Sequence, residues 1–311
     1  MNKFQVFNTL AFVVFCFAIG EVIAILLTGL IYNVNTSQIF EALTEPVNSN
    51  KSLIILFSSL STLFRFLVIP ALYLLFINKS SLSFLWTNNK IRFAPLIITV
   101  ALVFSLLPFI SILIELNYKL ELPIWLSELE RYFQESEEKA RLLTSLLLSF
   151  REFKDLIITI LIVAIIPGVV EEFFFRGMVQ MQLQNILKNH HYAIFFSAFL
   201  FSCFHFQFYG FIPRMVLGVL FGYIFFWSKN IWYPSAAHVT HNLIGVLGAY
   251  FFGPQLMNPQ DGNFMSMALL FPSVIISVLV ILYLRKILIV KSKGEKEITP
   301  CTGVRPGSLR S

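Results

Sequence analysis

Two adjacent glutamates, Glu171 and Glu172, interrupt an apolar run that begins near Leu156. An ionisable side chain at membrane depth is energetically expensive, so such residues usually face a cavity and either take part in chemistry or conduct an ion. Burial also increases the proton affinity of a carboxylate, which suits a general base that works near neutral pH. The Glu pair is therefore the first candidate for a reactive site.

Polar side chains of complementary type occur on the following apolar segments. His238 and Asn242 are four positions apart, so a helix places both on one face, where each can donate a hydrogen bond to a developing oxyanion. Glu171 and His205 lie at similar distances on either side of the turn expected at residues 188–191. Antiparallel helices would bring these two residues to nearly the same depth, so we expect them to face each other.

Arg176 supplies the opposite charge for one of the two glutamates. It lies four residues after Glu172 and five after Glu171, so only Glu172 shares its helical face. We expect Glu172 and Arg176 to pair and Glu171 to remain free to act. A second pair is predicted between Glu21 and Arg65, because an unpaired charge inside an apolar segment costs on the order of several kcal/mol.

Other residues of this region are interpreted without chemistry. His190 and His191 fall in the predicted turn and are expected to be solvated, while His241 lies off the face of His238 and is expected to be structural. Three phenylalanines are interpreted as core packing: Phe201, Phe204 and Phe206.

Composition points to a membrane protein. The chain has 311 residues, 57% of them hydrophobic and only 13% charged, and its mean hydropathy is +0.77. A soluble domain of this length carries more charge. The predicted fold class is all-α: a polytopic transmembrane bundle of about eight helices with one amphipathic interfacial helix.

The predicted organisation is a single membrane domain over residues 1–290, with its core at 155–252, followed by a disordered basic tail at 291–311. Residues 120–152 are highly charged and carry apolar residues at helical spacing, which predicts the amphipathic helix at the membrane interface. The eight expected spans are approximately 10–32, 52–77, 94–114, 156–175, 192–208, 211–227, 232–252 and 267–284.

The formal net charge of +6 is interpreted as a topology signal rather than as a nucleic-acid surface, because the basic residues cluster at the ends of the apolar segments and in the tail. Their distribution predicts both termini in the cytoplasm, and the composition predicts the inner membrane of a bacterial cell. Three widely spaced cysteines form no metal or disulfide pattern: Cys16, Cys203 and Cys301.

At the polar positions described above, the sequence resembles the CAAX protease and bacteriocin-processing family of intramembrane endopeptidases, which includes the type II CAAX prenyl endopeptidases. The resemblance covers residues 155–245 and rests on three motifs that occur in order on separate spans. The family patterns E-E-x-x-x-R, F-x-x-x-H and H-x-x-x-N are matched by Glu171-Glu172 with Arg176, by Phe201 with His205, and by His238 with Asn242.

The resemblance implies hydrolysis of a peptide bond within the membrane by a core of eight helices. The implied partners are membrane lipid and a membrane-embedded or lipidated peptide or protein, with no nucleic acid. By the same resemblance, Glu171 and His205 activate a water molecule, His238 and Asn242 stabilise the oxyanion, and Glu172 and Arg176 support the site.

Several alternatives stay open from the residue types. If a metal is present, Glu171, His205 and His238 are its expected ligands, since zinc accepts carboxylate and imidazole. The H-E-x-x-H arrangement is absent, so a mechanism that requires no cofactor is preferred. A buried Glu pair also fits an ion- or proton-coupled transporter, and the fold also suits a non-catalytic membrane immunity or scaffold protein.

Overall fold

A computed structural model describes residues 3–46, 49–77, 90–253 and 267–289. These residues form ten helices and contain no strand, which confirms the all-α prediction. The predicted tail at 291–311 lies outside the described residues. The helices are α1 (Lys3–Tyr32), α2 (Thr36–Thr44), α3 (51–77), α4 (Phe93–Tyr118), α5 (Ser127–Leu147), α6 (Phe153–Leu187), α7 (His190–Cys203), α8 (Phe211–Ser228), α9 (Trp232–Phe252) and α10 (Leu270–Ile289).

Six of these helices are long and apolar enough to cross a membrane: α1, α3, α4, α6, α8 and α10. The protein is therefore a multi-pass membrane protein, but two of the eight expected spans do not qualify. Helix α7 has 14 residues, which rise only about 21 Å. Helix α9 has the length, but its composition is too polar because it carries Pro234, His238, His241 and Asn242.

The span expected at 192–208 is wrong at its end. Helix α7 stops at Cys203, and residues 204–210 form a loop in which Phe206 has a left-handed φ of 53°. The hydroxyl of Ser202 donates to the carbonyl of Phe211 at 2.7 Å and so closes the base of this loop. The expected turn before α7 is present, with Lys188 in the left-handed region and Asn189 capping α7 through its side chain.

Helix α6 is longer than the expected span and is not uniformly α-helical. The Glu pair lies on an α-helical stretch, Ile166–Phe174, between two π-helical turns at Ile160–Ile165 and Phe175–Gln180. A π turn adds a residue to the helical repeat, shifts the faces that follow, and is frequent at functional sites. Helix α3 contains two such turns, at Phe64–Val68 and Tyr73–Ile77.

Pro167 explains one contact at the first of these π turns. Proline has no N–H, so it cannot bond the carbonyl of Val163 in the α-helical manner. The side-chain amide of Asn242, on α9, donates to that carbonyl at 3.3 Å. A polar side chain of α9 therefore satisfies a backbone group that the proline leaves without its helical partner.

Two phenylalanine- and leucine-rich cores hold the bundle together. One joins α1, α3, α6 and α7 through residues such as Phe12, Phe66 and Phe174, and the other joins α4, α8, α9 and α10 through residues such as Leu102 and Phe221. Helices α6 and α9 pack directly on each other, and a Cβ at Gly168 of α6 would lie 2.7–2.9 Å from the backbone and side chain of Val239 on α9. That close approach brings the polar residues of the two helices together.

The amphipathic prediction for residues 120–152 is realised as α5, which follows a short 3-10 turn at Ile124–Leu126. Its C-terminal leucines pack on α2 and α3. Nearer its N-terminus, Phe133 stacks on Phe208 with ring centroids 4.9 Å apart, and the Ser136 hydroxyl donates to the carbonyl of Phe206 at 3.0 Å. Helix α5 therefore covers the loop at 204–210.

The predicted Glu21–Arg65 pair is present between α1 and α3. The guanidinium Nε of Arg65 lies 3.4 Å from a carboxylate oxygen of Glu21, which also accepts a 2.6 Å hydrogen bond from Ser61. Both side chains are partly exposed on the bundle, and the described hydrogen bonds of this pair are to Ser61, so the pair fixes the contact of the two helices.

Candidate active site

Glu172 and Arg176 form the predicted ion pair in the interior of α6. Nε of Arg176 donates to Glu172 at 2.8 Å, Nη2 lies 3.4 Å from the second carboxylate oxygen, and both side chains are 0% exposed. Charges at this depth are tolerated when they are paired and hydrogen-bonded. The pair therefore holds two fixed charges in the centre of the bundle.

His238, on α9, lies between the two glutamates. Its Nδ1 is 3.0 Å from an oxygen of Glu172, and its Nε2 is 3.9 Å from an oxygen of Glu171. Because Glu172 is ionised against Arg176, its oxygen accepts and the His238 Nδ1–H donates. Nε2 of His238 then either accepts a proton or, in the imidazolium form, donates a hydrogen bond towards the side of Glu171.

Glu171 is buried, with 8% exposure, yet in the described part of the chain no group donates a hydrogen bond to its carboxylate. The structure therefore separates the adjacent carboxylates as the helical spacing predicted. Arg176 and His238 both donate hydrogen bonds to Glu172. Glu171 has a looser contact, because Nε2 of His238 lies 3.9 Å from its nearest carboxylate oxygen. An untied carboxylate beside an imidazole can accept a proton from a bound water.

His205 lies just beyond the end of α7, and its Nδ1 donates to the carbonyl of Phe201 at 2.8 Å. This hydrogen bond leaves the lone pair of the neutral ring on Nε2. Glu171 and His205 were expected to face each other; among the described residues no hydrogen bond or ion pair joins them. The ring of Phe201 lies against both His205 and Phe175 of α6.

The ring of Phe201 lies close to three polar side chains of the site. Its buried ring lies 4.9 Å from the His205 ring and 5.7 Å from the His238 ring, centroid to centroid, and Cζ of Arg176 lies 5.5 Å from its centre. Phe201 belongs to the buried core as predicted, and Phe204 packs against that core, whereas Phe206 is exposed and its core prediction was wrong. The contacts of Phe201 with the polar groups were not predicted. The signal available in the sequence was its position four residues before His205, which places both rings on one helical face.

Asn242 lies one helical turn from His238 and faces α6, where one of its amide hydrogens is directed to Val163. The second amide hydrogen is not engaged by a described residue. The structure thus brings His238 to the Glu pair and Asn242 to the neighbouring turn of α6, while the joint role predicted for them at an oxyanion stays a prediction.

The donors that a metal would use do not gather into one cluster. Within the described ranges no group of three or more His, Cys, Asp or Glu side chains is placed to hold a metal ion. Nε2 of His238 and Glu171 are 3.9 Å apart, and among the described residues no hydrogen bond or ion pair joins either of them to His205. This donor set does not fit the four-coordinate geometry of zinc, and metal-free chemistry stays a prediction to be tested.

A cavity of about 1110 Å³ adjoins the site beneath α5. His241, expected to be structural, lines this cavity, and so does Arg214, to which the motif analysis gave no role. Arg214 donates to the side-chain oxygen and to the backbone carbonyl of Gln207, each at 2.6 Å. Across the cavity, burial raises the pKa of Glu137 on α5, and the positive charge of Arg214 opposes part of that increase.

The fold and the site define a class: a multi-pass α-helical membrane protein with a carboxylate–imidazole centre buried between two of its helices. A family model described as "Type II CAAX prenyl endopeptidase Rce1-like" matches residues 153–244. The match confirms the resemblance that the three motifs predicted, spans all six candidate site residues, and supports an intramembrane protease of the CAAX type. A comparison with curated proteins found no match, and a comparison with solved structures found none either.

Proposed function

We propose that this protein is an intramembrane endopeptidase that hydrolyses a peptide bond in a membrane-associated substrate, lipidated substrates included. The observation that carries the proposal is the position of His238. Its Nδ1–H donates a hydrogen bond to Glu172, which orients the ring, and its Nε2 lies towards the carboxylate of Glu171, to which no described group donates. The family match over residues 153–244 supports the same chemistry.

In the proposed reaction, Glu171 takes a proton from a water molecule, and the lone pair on Nε2 of His205 helps to orient that water. The water oxygen attacks the scissile carbonyl carbon, and the carbonyl oxygen becomes an oxyanion. Glu171 then passes its proton to the leaving amine as the carbon–nitrogen bond breaks. The products are a carboxylic acid and an amine, so no further reactant is needed.

The oxyanion in this scheme is stabilised from α9. His238 in its imidazolium form donates from Nε2, and the second amide hydrogen of Asn242 provides another donor. The positive charge on His238 is stabilised by Glu172, which lies 3.0 Å from Nδ1. Arg176 holds Glu172 in place and keeps it ionised.

Cleavage by purified protein tests the proposal. The protein is reconstituted in liposomes and incubated with a library of peptides anchored to the lipid by an acyl chain, and products are identified by mass spectrometry. Glu171→Ala and His205→Ala are expected to abolish cleavage, while Glu21→Gln, which alters a partly exposed glutamate that pairs with Arg65 and accepts from Ser61, should preserve it. Undiminished cleavage by both site variants would reject the assignment. Ion flux that depends on Glu171, without cleavage, would favour an ion- or proton-coupled transporter.

We further propose that the reaction requires no metal. The donor geometry of Glu171, His205 and His238 supports this, since the three do not converge on one point. Elemental analysis of active protein before and after treatment with a chelator tests it. The expected result is full activity with less than one equivalent of zinc; zinc at one equivalent whose removal and return follow the activity would contradict it.

The proposed location is the inner membrane of a bacterial cell, with both termini in the cytoplasm. Lys188 and Lys229 lie at two helix ends of one side, and Arg92 donates to the carbonyl of Ile287 at 2.7 Å near the end of the last helix. The backbone N–H of Arg92 also donates to the hydroxyl of Tyr233. A basic side that faces the cytoplasm follows the positive-inside rule. Labelling of single cysteines placed at residues 188 and 121 from each side of the membrane tests this orientation.

A further inference from the structure

The cavity beneath α5 lies beside the candidate active site, although none of the six candidate site residues lines it. Gln207 and His241 line it, and they lie two residues after His205 and three residues after His238. Its remaining walls come from the C-terminal part of α4, from one face of α5, and from the start of α8. A substrate whose scissile bond reaches the site therefore has room for a flanking segment in this cavity.

The loop at 204–210 is built around the guanidinium of Arg214. Gln207 accepts from both terminal nitrogens, one bond going to its side chain and one to its backbone. A Cβ at Gly210 would lie 2.7 Å from Cζ, Nη1 and Nη2 of Arg214, so the glycine leaves the space that the guanidinium fills. The side chain is therefore held in one orientation at the wall of the cavity.

The hydrogen-bonding capacity of Arg214 is not exhausted by these contacts. Its Nε is buried and has no hydrogen-bond partner, and among the described residues no carboxylate lies within ion-pair distance of the guanidinium. A buried donor on a charged group that remains unpaired costs free energy. A ligand that brings a negatively charged oxygen to this side of Arg214 would remove that cost.

Glu137, on the opposite wall, shows the complementary deficiency. Its Oε2 is buried without a hydrogen-bond partner, although the backbone N–H of Tyr209 donates a hydrogen bond to the same carboxylate group. Glu137 and Arg214 thus act on each other through their charges across the cavity without a direct ion pair. Arg214 therefore has an N–H donor without an acceptor, and Glu137 has a carboxylate oxygen without a donor.

We propose that this cavity binds a carboxylate-bearing segment of the peptide substrate, with Arg214 as the specificity-determining residue that receives the carboxylate. The proposal rests on the proposed endopeptidase function. A planar carboxylate matches the Nε and Nη2 edge of a guanidinium, and a peptide N–H matches the free oxygen of Glu137. The cavity lining also includes Glu121, Glu130, Glu137 and Glu138 beside Lys119, Arg141 and Arg214. These glutamates oppose a carboxylate, which carries one negative charge, less than they oppose a phosphate dianion.

Matched peptide pairs test the proposal. Each lipid-anchored peptide is synthesised with a free C-terminal carboxylate and as the C-terminal amide, and a parallel set replaces Asp and Glu by Asn and Gln. For the wild-type protein kcat/KM is expected to be about 10- to 100-fold higher for the acid form. In Arg214→Gln this ratio is expected to approach one, and Arg214→Lys, which keeps the charge but not the planar edge, should give an intermediate ratio.

Arg141→Gln is the matched control. This arginine lines the same cavity but already donates two hydrogen bonds, at 2.6 and 2.7 Å, to Glu138. Its variant is expected to keep the wild-type ratio. The melting temperature of each variant in detergent is measured alongside, so that a folding defect is recognised as such. An unchanged acid-to-amide ratio in well-folded Arg214→Gln overturns the proposal, as does a wild-type ratio near one in both peptide sets.

A binding measurement separates this proposal from the enzymatic one. Fluorescence anisotropy with labelled acid and amide peptides is recorded for the wild type and for Arg214→Gln, independently of any cleavage. Acid-selective binding that depends on Arg214 without hydrolysis would retain the cavity proposal and reject the protease. Hydrolysis that depends on Glu171, with no role for Arg214 in either assay, would retain the protease and reject the cavity proposal.

Discussion

The two polar regions of this molecule treat charge in opposite ways. Between α6 and α9, Glu172 is bonded to both Arg176 and His238, and all three side chains are buried. Beneath α5, Arg214 and Glu137 face one cavity, yet each keeps a buried polar atom without a partner. Nη1 of Arg176 is also buried without a partner, so the contrast lies in the ion pairing. The first region joins its opposite charges directly, whereas the second holds them apart, where a ligand can meet them.

The sharpest test of this comparison lies within the first region, at its two glutamates. Glu171→Gln is expected to lower cleavage roughly 100- to 10,000-fold, because a neutral amide cannot take the proton of water. The melting temperature should stay near that of the wild type, since no described group donates a hydrogen bond to Glu171. Peptide cleavage and thermal unfolding are measured on the same preparations.

Glu172→Gln is the matched control, and it is expected to lose both activity and stability because Arg176 and His238 then lack their common acceptor. Equal loss of stability in the two variants would show that Glu171 is tied into the structure as firmly as its neighbour.

The next largest effect is expected from removing one partner of the buried pair. Arg176→Met leaves an uncompensated carboxylate in the core, which costs about 3–5 kcal/mol of the free energy of unfolding. Arg131→Met is the control, because its pair with Glu128 on α5 is exposed and such pairs contribute roughly 0–1 kcal/mol. Equilibrium unfolding in mixed detergent measures both. Losses of the same size would mean that burial does not distinguish the two pairs.

Substitution of one glycine in each region tests how tightly the two regions are packed. In Gly168→Ala the new methyl group would collide with the backbone of Val239, so α6 and α9 must separate; we expect a loss of about 1–3 kcal/mol and a reduced kcat. In Gly210→Ala the atoms nearest to the methyl group belong to the guanidinium of Arg214 rather than to a backbone, so the loss of stability should be smaller. Greater destabilisation by Gly210→Ala in thermal unfolding would contradict this ranking.

The smallest effect is expected at Glu137. Because burial raises the pKa of this carboxyl in the folded protein, ionisation disfavours folding, and that penalty is present above the folded pKa and absent below the unfolded one. Glu137→Gln is therefore expected to raise the melting temperature by about 1–2 °C at pH 7.5. The rise should vanish as the pH falls below the usual carboxylate range.

Glu138→Gln is the control for this pH dependence, since Glu138 is exposed and its hydrogen bond from Arg141 lowers its pKa. Its substitution should not stabilise the protein at pH 7.5. Stabilisation by Glu137→Gln that persists at low pH would show that ionisation is not its cause.

The sequence allowed the fold class and the pairings of charged residues to be predicted, because both follow from local rules. Hydropathy located α1, α3, α4, α8 and α10 closely, and the spacing of Glu172 and Arg176 on one helical face predicted their contact. The pair of Glu21 and Arg65 followed from the cost of leaving either charge alone at that depth.

The parts that failed depend on information that local rules do not contain. Phe204, Phe206 and Phe208 are as apolar as the helix before them, so hydropathy could not show that α7 ends at Cys203. The π turns of α6, of which the first ends two residues before Pro167, rotate faces that a regular helix would place elsewhere. The role of Phe201 and the cavity around Arg214 appear only when separate segments are brought together in space.

The way α5 rests on the loop at 204–210 ties two distant parts of the chain together. Ser136 and Phe133 hold the same loop that carries His205, so a substitution on α5 that loosens the loop would also free the imidazole from its fixed setting. The amphipathic helix thus contributes to the position of a histidine with which none of its described residues shares a hydrogen bond.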